Sequence, residues 1–308
     1  MVATGQVLRI ERSSSYDGEG LRTVIFLKGC PMSCIWCSTP ESQKIVNEIG
    51  CDDVKCLRCG LCVSLCPNRA LSKSAQGVPK MADGKCNGCG ECAKNCPTNA
   101  ISLYGKSMTA DEVVAEIAKD ELLYFHSGGG FTFSGGEALT QPKFVAEVFK
   151  LAMQRGISGT IETSACVPWE NIAAVVPLVP KFYVDIKHMD PVRHKELTGL
   201  SNEIVLDNIR KIDGCGCDIT IRVPVIPTIN DGEDNIKATA DFCRGLKNIS
   251  ELELLAYHKL GMITYRKLGR KMELNHIEPP SKNDMLQIAR RLKLTLPSLS
   301  VKINGGEI

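Results

Sequence analysis

Thr23-Val24-Ile25-Phe26-Leu27-Lys28-Gly29-Cys30 runs on into Cys34, Trp36 and Cys37. Its five opening residues are β-branched or large and apolar, the composition of a buried strand. Directly after the strand come three cysteines spaced Cys30-x-x-x-Cys34-x-x-Cys37. A four-iron cluster takes four ligands, so three thiolates leave one iron open. An open iron can bind substrate, whereas a fully ligated cluster only moves electrons.

Strands of the same kind recur downstream. Phe131–Phe133, Thr160–Glu162, Phe182–Asp185, Ile219–Val223 and Leu252–Leu255 are short apolar runs. Helical periodicity lies between them at Asp111–Lys119, Pro142–Arg155, Asn202–Ile212 and Asp234–Leu246. Alternating strands and helices imply a parallel sheet. About six such units are too few for an eight-stranded barrel. The expected fold is therefore α/β, a partial (β/α)6 TIM-like barrel, with its chemistry at the C-terminal ends of the strands.

A cysteine-dense stretch interrupts this pattern. Cys56-x-x-Cys59-x-x-Cys62-x-x-x-Cys66-Pro67 and Cys86-x-x-Cys89-x-x-Cys92-x-x-x-Cys96-Pro97 repeat one spacing, each with a similar tail. In the bacterial ferredoxin pattern the fourth cysteine of each run serves the other cluster. One cluster would then take Cys56, Cys59, Cys62 and Cys96, the other Cys86, Cys89, Cys92 and Cys66. A pair of structural zinc sites is the competing reading of the same residues. The expected division is a partial barrel over 1–48 and 106–308 and a ferredoxin-like insert over 49–105. That insert is too small for a substantial apolar core, so its clusters would hold it together. Three [4Fe-4S] clusters account for eleven of the sixteen cysteines. Cys166, Cys215, Cys217 and Cys243 read as ordinary thiols, and Cys51 stays open because it lies close to Cys56.

The 308 residues carry 37 Lys and Arg against 35 Asp and Glu, a net charge of +2. With basic residues unclustered, nucleic acid is not an expected partner. No apolar run approaches a membrane span. Met1-Val2-Ala3-Thr4-Gly5-Gln6 lacks the charged and apolar regions of a signal peptide, so a reducing cytoplasm is expected, in an anaerobic host because such clusters are oxygen-sensitive.

Gly18-Glu19-Gly20-Leu21-Arg22, leading into Cys30, Cys34, Trp36 and Cys37, resembles the N-terminal signature of the glycyl-radical-enzyme activating enzymes of the radical S-adenosylmethionine (SAM) superfamily. The resemblance continues in order through Gly135-Gly136-Glu137, Glu162-Thr163, Asp185-Ile186-Lys187, Arg222-Val223-Pro224 and Tyr257-His258. It covers nearly the whole chain outside the insert, and several members carry a similar insert. Glu19 stands where many members have proline, Thr39 where asparagine is common, and Glu162 where a relative has aspartate.

The resemblance implies SAM bound at the open iron of the Cys30, Cys34 and Cys37 cluster. Gly136 and Glu137 would lie near its amino group. Trp36 and Ser38, flanking Cys37, would border the adenine, with His258 a further nucleotide contact. Glu162 and Thr163 align with a monovalent-cation site. Chemically, Gly135 and Gly136 let backbone approach a ligand closely. Lys187 and Arg222 offer charge and donors to carboxylate or ribose oxygens, and Asp185, beside Ile186, can accept from ribose hydroxyls. Singly these residues have plainer readings. Gly135-Gly136 is an ordinary turn, Asp185 a helix cap, Lys187 a solvated charge, His258 a structural histidine, and Glu162 one half of an ion pair.

The implied activity is reductive cleavage of SAM to methionine and a 5′-deoxyadenosyl radical, which takes hydrogen from a glycine Cα in the C-terminal loop of a glycyl radical enzyme. Flavodoxin or ferredoxin would supply the electron through the insert, and the chain would act as a monomer. Another radical SAM maturase and a ferredoxin-type electron carrier are the alternatives.

Overall fold

The computed structural model describes residues 3–82 and 84–307. Met1, Val2, Asp83 and Ile308 belong to the N-terminal stretch and the domain spans discussed above, and they lie outside the described residues. The chain opens with β1 (Thr4–Ser14) and β2 (Arg22–Leu27), which pair antiparallel. It then leaves for β3 (Glu48–Cys51), α1 (Leu61–Ser64), β4 (Leu71–Lys73), β5 (Pro79–Met81), α2 (Glu91–Lys94) and β6 (Ile101–Tyr104). The path returns as β7 (Lys106–Thr109), α3 (Ala110–Ala118), α4 (Glu121–Ser127) and β8 (Gly130–Gly135). Next come α5 (Pro142–Gln154), β9 (Gly159–Thr163), α6 (Trp169–Ala173), β10 (Lys181–Asp185), α7 (Pro191–Thr198) and α8 (Glu203–Gly214). The last elements are β11 (Asp218–Val225), α9 (Glu233–Arg244), β12 (Ile249–Ala256), α10 (Met262–Lys267), α11 (Lys282–Thr295), β13 (Ser300–Ile303) and β14 (Gly306–Glu307).

One ten-stranded sheet runs β14-β13-β12-β11-β10-β9-β8-β2-β1-β7. Its central strands, β2 and β8 through β13, are mutually parallel. The six expected strands are all present, and β13 adds a further parallel one. The outermost strands are β7 and β14, so the sheet does not close and the barrel is partial.

Strand alternation separates two chemistries. Ile25, Phe131, Phe133, Ile161, Phe182 and Ile221 form the main core, which also takes Val113 and Ile117 of α3, Phe149 of α5 and Ile209 of α8. The alternate positions are buried yet polar: Arg22, Thr132, Thr160, Thr220, Arg222 and Glu253. They line the inner face, where hydrogen bonds join Arg22 to Thr132, Thr132 to Thr160 and Arg222 to Glu253, so the barrel interior is polar and not a hydrocarbon plug. The helix α3 starts at a reciprocal cap, in which Thr109 Oγ1 accepts from Glu112 N and the Glu112 carboxylate accepts from Thr109 N.

Residues 48–104 pair only among themselves, β3 with β6 and β4 with β5. Their large buried apolar residues are Ile49, Leu71 and Ile101, packed against cysteines, and Ala70 and Ala100 are buried as well. The sequence repeat is a structural repeat. Gly60 and Gly90 both take left-handed backbone, φ 82° and 76°, to start α1 and α2. In matching positions Ala70 N donates to Cys66 Sγ at 3.2 Å and Ala100 N to Cys96 Sγ at 3.3 Å.

Candidate active site

The C-terminal ends of the parallel strands bring the ordered motifs to one place. Leu27 of β2 lies in register with Gly135 of β8, Thr163 of β9 with Val184 of β10, and Asp185 of β10 with Arg222 of β11. A cavity of about 380 Å³ opens there, within the range of small-molecule sites. Cys30, Cys34 and Cys37 line it, with Trp36, Ser38, Gly135 and Gly136. Glu162, Thr163, Asp185, Lys187, Arg222 and His258 complete the predicted set at its surface. Two predicted contacts stand outside it, since Glu137 and Ile186 are buried behind the lining.

Burial pushes the Cys34 thiol up to about 11 against the pull of the Lys187 charge. It raises Cys30 and Cys37 as well. A buried thiol of this kind gives up its proton to a metal more readily than to water. Three such sulfurs share the cavity with no fourth cysteine among its lining residues, a donor set that fits a cluster held at three corners. Lys187 Nζ lies 2.7 Å from Asp185 Oδ2. Burial works against its charge, but Asp185 and the nearby sulfurs outweigh that and hold it protonated.

Glu137, expected near the SAM amino group, is held by donors of the protein itself. Its Oε1 accepts from Leu139 N at 3.0 Å and Thr163 Oγ1 at 2.8 Å. Its Oε2 accepts from Ser164 N at 2.8 Å and Ser164 Oγ at 2.6 Å. The carboxylate therefore ties the loop after β8 to the end of β9. The glycines before it are also explained by neighbouring backbone. A Cβ at Gly135 would meet Leu27 N at 2.3 Å, and one at Gly136 would meet Gly29 O at 2.5 Å. Close approach is required, but to the strand end that carries Cys30.

Arg222 is likewise committed. Its Nε donates to Glu253 Oε2 at 2.7 Å and its Nη2 to Tyr16 O at 2.9 Å. Nη1 pairs with Glu162 Oε1, and the guanidinium stacks on Tyr183 at 4.3 Å. Burial pushes the Glu162 carboxyl up while Arg222 pulls it down, and Glu162 Oε2 accepts from Ser134 Oγ at 2.6 Å. Sequence reasoning passed over Tyr16, Asp17 and Ser134, which line the cavity, and Glu253 behind it. The signal for Glu253 was a carboxylate inside the apolar run Leu252–Leu255.

The insert holds two four-cysteine cages. Cys56, Cys59, Cys62 and Cys96 surround one cavity, and Cys66, Cys86, Cys89 and Cys92 surround the other. All sixteen cysteines are free thiols. Among the described residues no three His, Cys, Asp or Glu side chains are placed to hold a single metal ion. Four sulfurs around a wider space, with backbone N–H groups directed at Cys56, Cys66 and Cys96, fit a cluster better than a lone zinc. Of the other thiols, Cys166, Cys217 and Cys243 are buried and Cys215 is exposed. Cys51 sits against Cys56, and burial followed by that neighbour pushes it up to about 12.

Residues 83–243 match the family described as the radical SAM superfamily, and residues 55–100 match the 4Fe-4S dicluster domain. The (2S)-3-sulfopropanediol dehydratase activating enzyme of Klebsiella oxytoca is 39% identical over 280 residues, covering 89% of this chain and 88% of that one. The trans-4-hydroxy-L-proline dehydratase activating enzyme of Clostridioides difficile is 34% identical over 302 residues, covering 97% and 99%. A radical SAM methyltransferase from Sphaerobacter thermophilus shares the fold at a TM-score of 0.56 and 14% identity, covering 92% of this chain and 66% of that one. The three-cysteine cavity, the paired cages and these relatives agree, and the chain belongs to the radical SAM superfamily and, within it, to the activating enzymes of glycyl radical enzymes.

Proposed function

We propose that the 380 Å³ cavity binds SAM at a cluster held by Cys30, Cys34 and Cys37, and that 49–105 is a separate unit carrying two further [4Fe-4S] clusters. The observation that carries this reading is the convergence of three half-buried cysteines with Gly136, Asp185, Lys187 and His258 on one cavity. When bound, the site cluster supplies the electron that cleaves SAM, and the 5′-deoxyadenosyl radical takes a hydrogen atom from a glycine Cα of the partner enzyme.

The protein's own residues bind and orient. Backbone of Gly135 and Gly136 forms the surface beside Cys30. Asp185, held by Lys187, presents its remaining oxygen to ribose hydroxyls, and Lys187 sets a positive charge beside the sulfurs. Trp36 packs in a side cluster with Leu197, Ile226, Tyr257 and Tyr265, which fixes its ring at the cavity edge for a flat base, with Ser38 and His258 adjoining. The reading of Glu162 and Thr163 as a monovalent-cation site competes with partners that both already have. Glu162 already faces the Arg222 guanidinium, and Thr163 Oγ1 donates to Glu137. Arg222 therefore serves as the counter-charge of Glu162 and not as a SAM donor.

The protein substrate is a glycyl radical enzyme. The relatives named above serve a sulfopropanediol dehydratase and a hydroxyproline dehydratase at similar identity, so pairing must be decided by experiment. We assign the electron to a flavodoxin or ferredoxin, and the acting form to a cytoplasmic monomer that docks transiently. No described helix is long and apolar enough to cross a membrane.

The test is electron paramagnetic resonance on reconstituted, reduced protein mixed anaerobically with SAM and each candidate partner. A glycyl doublet with one partner establishes the pairing. Deoxyadenosine formation without a doublet from any of them would reject a glycyl radical partner from that set. Cys37→Ala is expected to abolish deoxyadenosine, and retained product would remove Cys37 from the site.

A further inference from the structure

The two cages of the insert are not equivalent in their relation to the active site. The strand β3 leads away from the site loop, with Glu48 at its near end and Cys51 at its far end. Gly29 N donates to Ser42 O at 2.7 Å and Cys30 N to Gln43 O at 2.9 Å, so the site loop folds back towards the start of the insert. There Lys28, fully buried, lies 3.8 Å from Glu48 Oε2, which is buried too. Arg270 bonds Glu48 Oε1 at 2.5 Å and Pro40 O at 2.5 Å. Two cations thus tie the first strand of the insert to the loop that carries the three site cysteines.

One cage meets this seam. The side chain of Asn47 packs so closely on Gly88, between Cys86 and Cys89, that a Cβ there would lie 2.1 Å from Asn47 Nδ2. On its other side, a Cβ at Gly105 would lie 2.4 Å from Asn47 Oδ1 and 2.5 Å from Lys28 Cδ, so Asn47 and the Lys28 stem close on the same glycine. Ile49 and Leu103, paired across β3 and β6, line the same cage. The other cage belongs to the far end of the β3–β6 pair, where Ile101 pairs with Cys51 and lines its cavity. It carries exposed apolar residues, Leu57 at 65% with Val54 at 79% close by, the kind of surface a docking protein covers.

We infer that the Cys66, Cys86, Cys89 and Cys92 cage is the inner electron-transfer site, coupled to the active site through the Asn47–Lys28 seam, and that the Cys56, Cys59, Cys62 and Cys96 cage is the outer one, where a one-electron carrier protein docks. The inference rests on the cluster assignments proposed above. The balance is simple. The carrier loses one electron, each insert cluster gains and then loses it, and the site receives the single electron that breaking the sulfur–carbon bond of SAM consumes. No proton or other atom moves.

The test uses the full chain with its clusters loaded, compared by electron paramagnetic resonance as Cys59→Ala and Cys89→Ala. A reduced cluster close to the site broadens the site signal by spin–spin interaction. Broadening is expected to survive in Cys59→Ala and to be lost in Cys89→Ala, and the reverse pattern would overturn the inference. Should either variant fail to load, Asn47→Ala keeps every cysteine. In it, reoxidation of the insert signal on SAM addition is expected to slow relative to wild type, and an unchanged rate would overturn the seam. Absence of deoxyadenosine from the wild type would instead count against the SAM reading and leave the broadening pattern to decide the order of the cages.

Discussion

Glu137 shows how a motif residue can hold a site together through its own hydrogen bonds. Four donors converge on its carboxylate from three residues. Replacing it by Gln turns an NH2 group towards at least one of those donors and removes the charge that shortens the bonds. Glu137→Gln is expected to lower stability by about 1–3 kcal/mol, read as an earlier urea midpoint, and an unchanged midpoint would return Glu137 to the ligand. The Arg222 network makes a stronger demand. Arg222→Met leaves Glu162 and Glu253 buried without their common counter-charge, a loss of about 3–5 kcal/mol. Wild-type stability in that variant would mean that another cation neutralises the pair. The cysteine ligands could be read from sequence because cluster spacing is local. The partners of Arg222 could not, since Glu253, Glu162 and Tyr16 come to it from 31, 60 and 206 residues away.

At the scale of elements, the junction of β2 and β8 decides whether the cavity forms. Gly136 N donates to Leu27 O at 2.9 Å and Glu137 N to Gly29 O at 2.7 Å, so the loop after β8 is laced to the strand end that delivers Cys30. A Cβ at position 136 would also meet Ser42 O at 2.9 Å. Every nearby atom is backbone and cannot swing aside. Gly136→Ala is expected to weaken SAM binding at least about tenfold, roughly 1.4 kcal/mol, in an anaerobic titration of the loaded protein. Native affinity would show that the lacing can yield. The six predicted strands were legible because apolar or β-branched residues recur in each. The strand β13 was not, being four residues of which Ser300 and Lys302 are polar. The helix α11 escaped notice despite its cap, in which Ser281 and Asp284 bond reciprocally, because no predicted strand followed it to frame a further unit.

For the whole molecule the contrast lies between two ways of staying folded. The barrel buries a continuous apolar core contributed by nearly all of its strands and helices. The insert buries three large apolar side chains, Ile49, Leu71 and Ile101, with the small Ala70 and Ala100, and surrounds them with cysteines. Burial of that extent falls well short of the ordering cost of some fifty residues, at about 1–2 kcal/mol each. The remainder must come from cluster ligation, as in small metal-bound domains that unfold without their metal. Stripping iron by an anaerobic chelator should therefore make amides over 52–100 exchange rapidly, while those of β8, β9 and β10 keep their protection in hydrogen-exchange mass spectrometry. Slow exchange in the stripped insert would show that its contacts to Lys28, Arg270 and Lys267 order it without the clusters. The Glu48 end should then be the part that keeps its protection, because its buried ion pairs join it to the barrel, whereas Arg266 and Asp53 at the far end meet in solvent at 3.7 Å and such pairs contribute little.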